Sequence, residues 1–396
     1  MKAAIIGASA EALHTIRKAK EYNLTVVALD GNENAEGLRE SQEARVVNIS
    51  REKETIECIR KEQVDFILTV PIGRYLTTIG AVNDELNLPG IGRKQALYCT
   101  DKLLFHHKLN ENQMRNCMCC ELEADEVKRR EVYQQVLGVE RKLSFPLILK
   151  PRYGSGSRGL HFIDNLQELK EGLLRTAGEN YVLEECIAGE EYGVDGAVIE
   201  NIFYLVLLRH KVNTPLPQRQ AVAYFSVGPD TVVYQQIQQF MKKAVEVLEL
   251  NNCLLHADFI QTESGPFIIE MSARPSGHNL HNLFTPMCTG VDMAEQYIRY
   301  CMKMEYSFVP KFTRMMMIHY FDFEGEVKFV PDKKMVEDKL DISVLAWSCN
   351  LQKGDNLNKV SDGHSLMSRG YFILEGESEE ELKQKALEIK DLFIME

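Results

Sequence analysis

Residues 145–163 read FPLILKPRYGSGSRGLHFI, a strand-like apolar run that ends in Lys150 and meets three glycines and two serines. Phosphate oxygens need close backbone approach and several N–H donors. Gly154, Gly156 and Gly159 permit both, and Ser155 and Ser157 add hydroxyls. Lys150 supplies a point charge at the strand end. The lysine precedes the glycines and the next element, LHFI, reads as a strand, so this is not a P-loop. It reads either as a β-hairpin flap over a nucleotide or as a mobile surface hairpin.

A second group lies in LLHADFIQTESGPFIIEMSARPSGHNL, residues 254–280. Asp258 sits inside an apolar strand, where a carboxylate is costly unless paired or bound to a metal. The TESG turn returns the chain, and FIIE ends the partner strand in Glu270. Two carboxylates with phosphate oxygens suit magnesium. Arg274, four residues on, can hold a carboxylate or a transferring phosphoryl group; the competing reading is a buried ion pair with one of the acids. A third group is YVLEECIAGEEYGVDG, residues 181–196. Acids at a strand end (Glu184, Glu185), an extended link through Cys186 and Ile187, and Glu191 can read adenine and ribose. A solvated strand edge is the alternative. Arg209 and Lys211, at the end of IFYLVLLRHK, are candidates for the wall of a substrate pocket. So are His278, Asn279 and His281 after Arg274, and Arg74 after a strand end.

These residues need a scaffold of strands. The first 98 residues alternate strand and helix: AAIIG (3–7), a helix from Glu11 to Lys20, LTVVALD (24–30), VVNI (46–49) and DFILTV (65–70). That βαβ order predicts a parallel sheet. Gly7 and Asp30 suggest a dinucleotide fingerprint, but Ser9 and Ala12 occupy its other glycine positions, and a tight strand-to-helix turn explains the segment. NLPGIG (87–92) closes this region, and the spacing predicts a helix from about Lys94 to Leu109. Past Tyr306, short strands LAWSC, KGDNL and GYFILEG precede an amphipathic helix over 379–393.

The chain has 396 residues and a formal charge of −12, which argues against wrapping nucleic acid or lying on anionic lipid. MKAAII is too short for a signal sequence and no apolar run spans a bilayer, so a cytoplasmic location is expected. The ten cysteines are then expected as thiols. The CMCC cluster at 117–120 fits a core strand or, less completely, half of a metal site.

The order of lysine and glycine-rich hairpin, acidic hinge, then Asp–turn–Glu hairpin with arginine resembles the ATP-grasp superfamily over about residues 1–300. GSGSRG and the tail are similar to its stand-alone carboxylate–amine ligases, of the L-amino acid ligase and carbamoyl phosphate synthase-like kind. The resemblance implies α/β and α+β architecture. A Rossmann-like domain would span 1–98 and an ATP-grasp domain 99–305, split into a flap (about 115–186) and a large subdomain (about 187–305). A small α+β lid would occupy 306–396. It further implies ATP and Mg2+, with Mn2+ as a substitute. Lys102 and Lys150 would meet phosphates, with residues 154–157 capping them. Glu184 with the backbone of Cys186 and Ile187 would hold adenine, and Glu191 the ribose. Asp258 and Glu270 would hold metal, and Arg274 would act in the transition state. Ser272 stands where the superfamily usually has Asn; its hydroxyl can coordinate magnesium or hold a water. The implied reaction joins a small carboxylate to an amine through an acyl phosphate, and a homodimer is a common assembly for such enzymes. A bicarbonate-activating enzyme and a non-catalytic ATP sensor are the alternatives.

Overall fold

The computed structural model describes residues 1–115, 117–137, 145–154, 159–215, 219–360 and 362–396. Ser155, Gly156 and Ser157 therefore lie outside the described residues.

Four parallel strands open the chain: β1 (Lys2–Ile6), β2 (Thr25–Asp30), β3 (Glu43–Val46) and β4 (Phe66–Ile67), in the order β3-β2-β1-β4. Successive residues of β1 face different cores. Ala3 and Ile5 pack with Ile16 and Ile298, and Ala4 and Ile6 with Ile59 and Ile79. A strand covered on both faces reads as an unbroken apolar run, as AAII does. Gly7 takes φ +92°, and the Asp30 carboxylate accepts the Ala8 N–H at 2.7 Å. The segment is thus a strand-to-helix turn closed by its own aspartate. β3 ends at Val46, so the strand expected over 46–49 begins and ends earlier in the chain.

The helix expected over 94–109 is two helices, Arg93–Tyr98 and Lys102–Glu111. Asp101 breaks it: its side chain accepts from Leu103 and Leu104 N–H and so starts a new helix at Lys102. The flap follows as β5 (Cys119–Leu122), β6 (Leu147–Pro151), β7 (His161–Ile163) and β8 (Tyr181–Glu185), antiparallel in the order β5-β8-β6-β7. Leu122, Leu147, Leu149, Leu169 and Leu183 give it a small core of its own.

The large sheet starts with β9 (Glu190–Ile199), β10 (Ile202–Asn213), β11 (Ala221–Val227), β12 (Cys253–Thr262) and β13 (Gly265–Ser272). The tail supplies β14 (Met316–Tyr320), β15 (Gly325–Phe329), β16 (Ala346–Cys349), β17 (Asn356–Leu357), β18 (Gly370–Glu375) and β19 (Ile394–Met395). Eight of these form one antiparallel sheet in the order β13-β12-β9-β10-β11-β14-β18-β16. Residues 306–396 thus extend the large sheet by three strands as well as carrying a small sheet of β15, β17 and β19. The closing helix Glu379–Asp391 buries Leu382, Ala386 and Ile389 against Phe321, Phe372 and Phe393. No helix among the described residues is long and apolar enough to cross a membrane.

Candidate nucleotide and metal site

A cavity of about 480 Å3 lies between the flap, the large sheet and the ends of the N-terminal strands. The flap lines it with Lys150, Gly154, Glu184 and Glu185, and the hinge with Ile187 and Glu191. Lys102 reaches it from the first turn of its helix and donates to Gly154 O at 2.8 Å. Arg152 on the flap grips Asp101 through Nε and Nη2 at 2.8 and 2.7 Å, so the residue that starts that helix also ties it to the flap.

Lys150 Nζ lies 2.9 Å and Arg115 Nη2 2.7 Å from Glu184 Oε2. Burial alone would raise the Glu184 carboxyl; Arg115 and Lys150 overcome it and hold the group down at about 2. The Glu184 carboxylate is therefore occupied in fixing Lys150. Glu185 accepts the Met118 N–H at 3.0 Å, and the Cys186 N–H donates to Pro146 O at 3.0 Å. Cys186 is outside the cavity lining, and Ile187 is the hinge residue that faces it. Glu191 pairs with Arg219 Nε at 2.6 Å.

Asp258 and Glu270 are directly opposite in the β12–β13 ladder, and both line the cavity. A register shift follows at Asp258/Phe259, and the Ile269 carbonyl accepts from Arg115 at 3.1 Å. Lys211 Nζ is 2.5 Å from Asp258 Oδ1. Burial would lower the lysine, but the adjoining carboxylate pushes it up. The Glu270 carboxylate makes no direct hydrogen bond or ion pair with another described side chain, and its charge acts on Arg274 and Lys102. An acid that lines a cavity without a direct contact, facing a second acid neutralised by a lysine, fits a hard divalent cation. Arg274 lines the same wall, donates to Pro275 O at 2.8 Å, and has its Nε buried without a hydrogen-bond partner among the described residues. Burial lowers it, opposed chiefly by Glu270 and Asp258.

Other candidates fall elsewhere. Ser272 lies opposite His256 and does not line the cavity. Arg209 lies beneath it, wholly buried, paired with Asp195 at 3.0 Å and 5.3 Å from the Tyr224 ring. Gly193 leaves room for this: a Cβ there would stand 3.2 Å from Lys211 Cε and 3.4 Å from Arg209 Nη2. His278 lines the far end, where its N–H donates to Glu11 at 2.9 Å. Asn279 adjoins it in left-handed backbone and is outside the lining. His281 is buried and held by the Ser276 carbonyl, and burial takes its imidazole down to about 4. Arg74 is exposed, its guanidinium 5.3 Å from the Tyr75 ring, and does not reach the cavity.

Arg115, Arg219, His256 and Glu11 escaped the sequence reading. Arg115, Arg219 and Glu11 act through partners distant in the chain, and nothing in their own neighbourhoods marks them; His256 stands two residues before Asp258, and strand alternation could have put both on one face. The CMCC segment supplies β5, and none of the ten cysteines is in a disulfide.

Residues 143–281 match the ATP-grasp domain family. The L-arginine-specific L-amino acid ligase of Bacillus subtilis is 22% identical over 343 residues, 82% of this chain and 78% of that protein. Dapdiamide A synthase of Enterobacter agglomerans is 22% identical over 273 residues; the match spans 63% of this chain and 62% of that relative, less than two thirds of it. The crystal structure of L-amino acid ligase from Bacillus licheniformis superimposes with a TM-score of 0.80 at 18% identity, covering 100% of this chain and 98% of that one. With its lysine-bearing flap, acidic hinge and carboxylate hairpin around one cleft, the chain has the ATP-grasp fold and carries an ATP-grasp domain over residues 143–281.

Proposed function

We propose that this protein is an ATP-dependent carboxylate–amine ligase acting on amino acids. The γ-phosphoryl group of ATP passes to a substrate carboxylate, an amine displaces phosphate from the acyl phosphate, and ADP and phosphate leave. One observation carries the reading: Lys102, Lys150, Asp258, Glu270 and Arg274 converge on a single cleft. The amino acid class is supported by the relatives that are L-amino acid ligases.

Lys102 and Lys150 would meet the phosphates, with Lys150 aimed by Glu184. The hinge backbone at Ile187 would face adenine, and Glu191 the ribose. Asp258 and Glu270 would hold the cation, which when bound neutralises phosphate charge. Arg274 would stabilise charge on the carboxylate or phosphoryl oxygens in the transition state. The flap and helix 102–111, joined through Arg152 and Asp101, would close together and exclude water that hydrolyses an acyl phosphate. The test is a matrix of amino acids as acid and amine donors, read by phosphate and ADP release. Amine-dependent ADP formation is expected. Bicarbonate-dependent turnover without an amine, or ATP binding with no turnover across the matrix, overturns the reading.

A further inference from the structure

His256 lies two residues before Asp258 on β12, so the two side chains leave the same face of the strand, and both line the cavity. Across the ladder Asp258 faces Glu270 and His256 faces Ser272. Serine is short, and the longer imidazole reaches toward the acids: His256 Nε2 is 3.4 Å from Asp258 Oδ1.

The other ring nitrogen is turned inward. Nδ1 lies 3.2 Å from the Val194 carbonyl and 3.8 Å from Asp195 Oδ1. The Val194 carbonyl is the nearest neighbour of Nδ1 and accepts, which favours a hydrogen on that nitrogen. Arg209 Nη2, which donates to Asp195 at 3.0 Å, also lies 3.4 Å from Nδ1. In the tautomer with its hydrogen on Nδ1, the ring presents the Nε2 lone pair to the cavity. A backbone carbonyl or carboxylate that fixes one ring nitrogen so that the other faces outward is the usual support of a metal-binding histidine. In that tautomer Nε2 and Asp258 Oδ1 face each other as acceptors at 3.4 Å, with Lys211 Nζ on the same oxygen at 2.5 Å, and a cation shared with the carboxylate gives Nε2 a partner.

Building on the cation site proposed above, we propose that His256, through Nε2, is a further ligand of the divalent ion held by Asp258 and Glu270. A nitrogen ligand in an otherwise oxygen-lined site favours Mn2+ over Mg2+ relative to an all-oxygen set. The cluster of His106, Cys119 and Glu184, whose ligand atoms lie within 4.8 Å of one another, is the competing place for an ion. Glu184 there already carries Arg115 and Lys150, so a cation would add a third positive charge to one carboxylate.

The test is pulsed electron paramagnetic resonance on the full chain with Mn2+ and ADP. The expected result is a 14N coupling from a coordinated imidazole, converted to a 15N pattern when the protein is made with 15N-histidine. The coupling is expected to persist in H106Q and vanish in H256Q, with Mn2+ binding weakened about tenfold in H256Q and Mg2+ binding weakened less. Mn2+ bound without a histidine coupling, or a coupling that survives in H256Q, overturns the histidine ligand while leaving the carboxylate site standing. Failure of Mn2+ to bind the wild-type protein with ADP overturns the carboxylate site and the histidine ligand together.

Discussion

Arg209 and Asp195, neighbours on adjacent strands of the large sheet, are both closed to solvent and pair at 3.0 Å directly beneath the acids of the cleft. Thr285 donates to the other Asp195 oxygen at 2.7 Å, and burial, which would raise the aspartate, is overcome chiefly by the guanidinium. Breaking one side leaves a charge stranded in the core. Arg209→Met should cost about 3–5 kcal/mol, and a double change of both residues to apolar ones should cost less than the worse single change. Urea unfolding of the two single variants and the double variant measures this. Additive losses would mean the pair is not coupled.

Lys150→Ala should lower ADP formation by about 100-fold or more, the order seen when a preorganised charge is lost. The fold should persist, because Glu184 keeps Arg115 at 2.7 Å as a counter-charge. Glu270→Ala should have the same effect on turnover with little loss of stability, since the carboxylate acts on Arg274 and Lys102 through its charge and not through a direct ion pair. Initial rates together with thermal melts separate the two effects, and full turnover in both variants would remove the site from this cleft.

Ser272→Asn extends a donor from the position opposite His256. If that position faces the ion, Mg2+ affinity should hold or rise by up to about tenfold, within the range ligand support brings. Titration of Mg2+ in the presence of ADP reads it. An unchanged constant, with unchanged Mg2+ dependence of turnover, would place Ser272 away from the ion, as its absence from the cavity lining favours.

Acid should destabilise the protein in two stages. Burial takes His106, His281 and His319 each down to about 4, below the unfolded value of about 6.5. As pH falls between those values the unfolded chain takes protons that the folded chain refuses, so stability drops. Glu184, held at about 2, behaves as a depressed carboxyl. Its contribution is complete above about 4.3 and is lost as pH falls toward 2. Unfolding free energy measured from pH 8 to 3 should fall through the first window, and Glu184→Gln should flatten only the second. A flat profile from pH 7 to 4.5 would contradict the buried neutral imidazoles.

The legible part of the site was local. TESG is a turn that sets β12 against β13, so Asp258 and Glu270 could be brought near each other from the sequence; the turn alone would set Asp258 opposite Ile269, and the register shift at Asp258/Phe259 moves Glu270 into that place. The acidic hinge was visible because two apolar strands frame it. Arg115 could not be placed, because its partner Glu184 is 69 residues away and no spacing rule reaches that far. Lys211 read as a strand-end cation, yet its pairing with Asp258 needs β9 to lie between β10 and β12. The break at Asp101 was hidden by apolar spacing that runs on through both helices; only the aspartate's capping contacts mark it. In residues 306–396, β16, β17 and β18 fall where the sequence placed strands, while β14, β15 and β19 were not read as strands; the sheet partners are set by tertiary pairing rather than by anything within the segment.

That last pairing has a consequence for synthesis. β11 hydrogen-bonds to β10 on one side and to β14 on the other, and 88 residues separate Val227 from Met316. While the ribosome makes the intervening stretch, the cleft's hairpin can already form, but the apolar edge AVAYFSV has nothing to pair with. An unpaired edge of this kind recruits other chains. The vulnerable interval ends only when β14 has emerged, so stalled translation or C-terminal truncation before that point should yield aggregates rather than a smaller working enzyme.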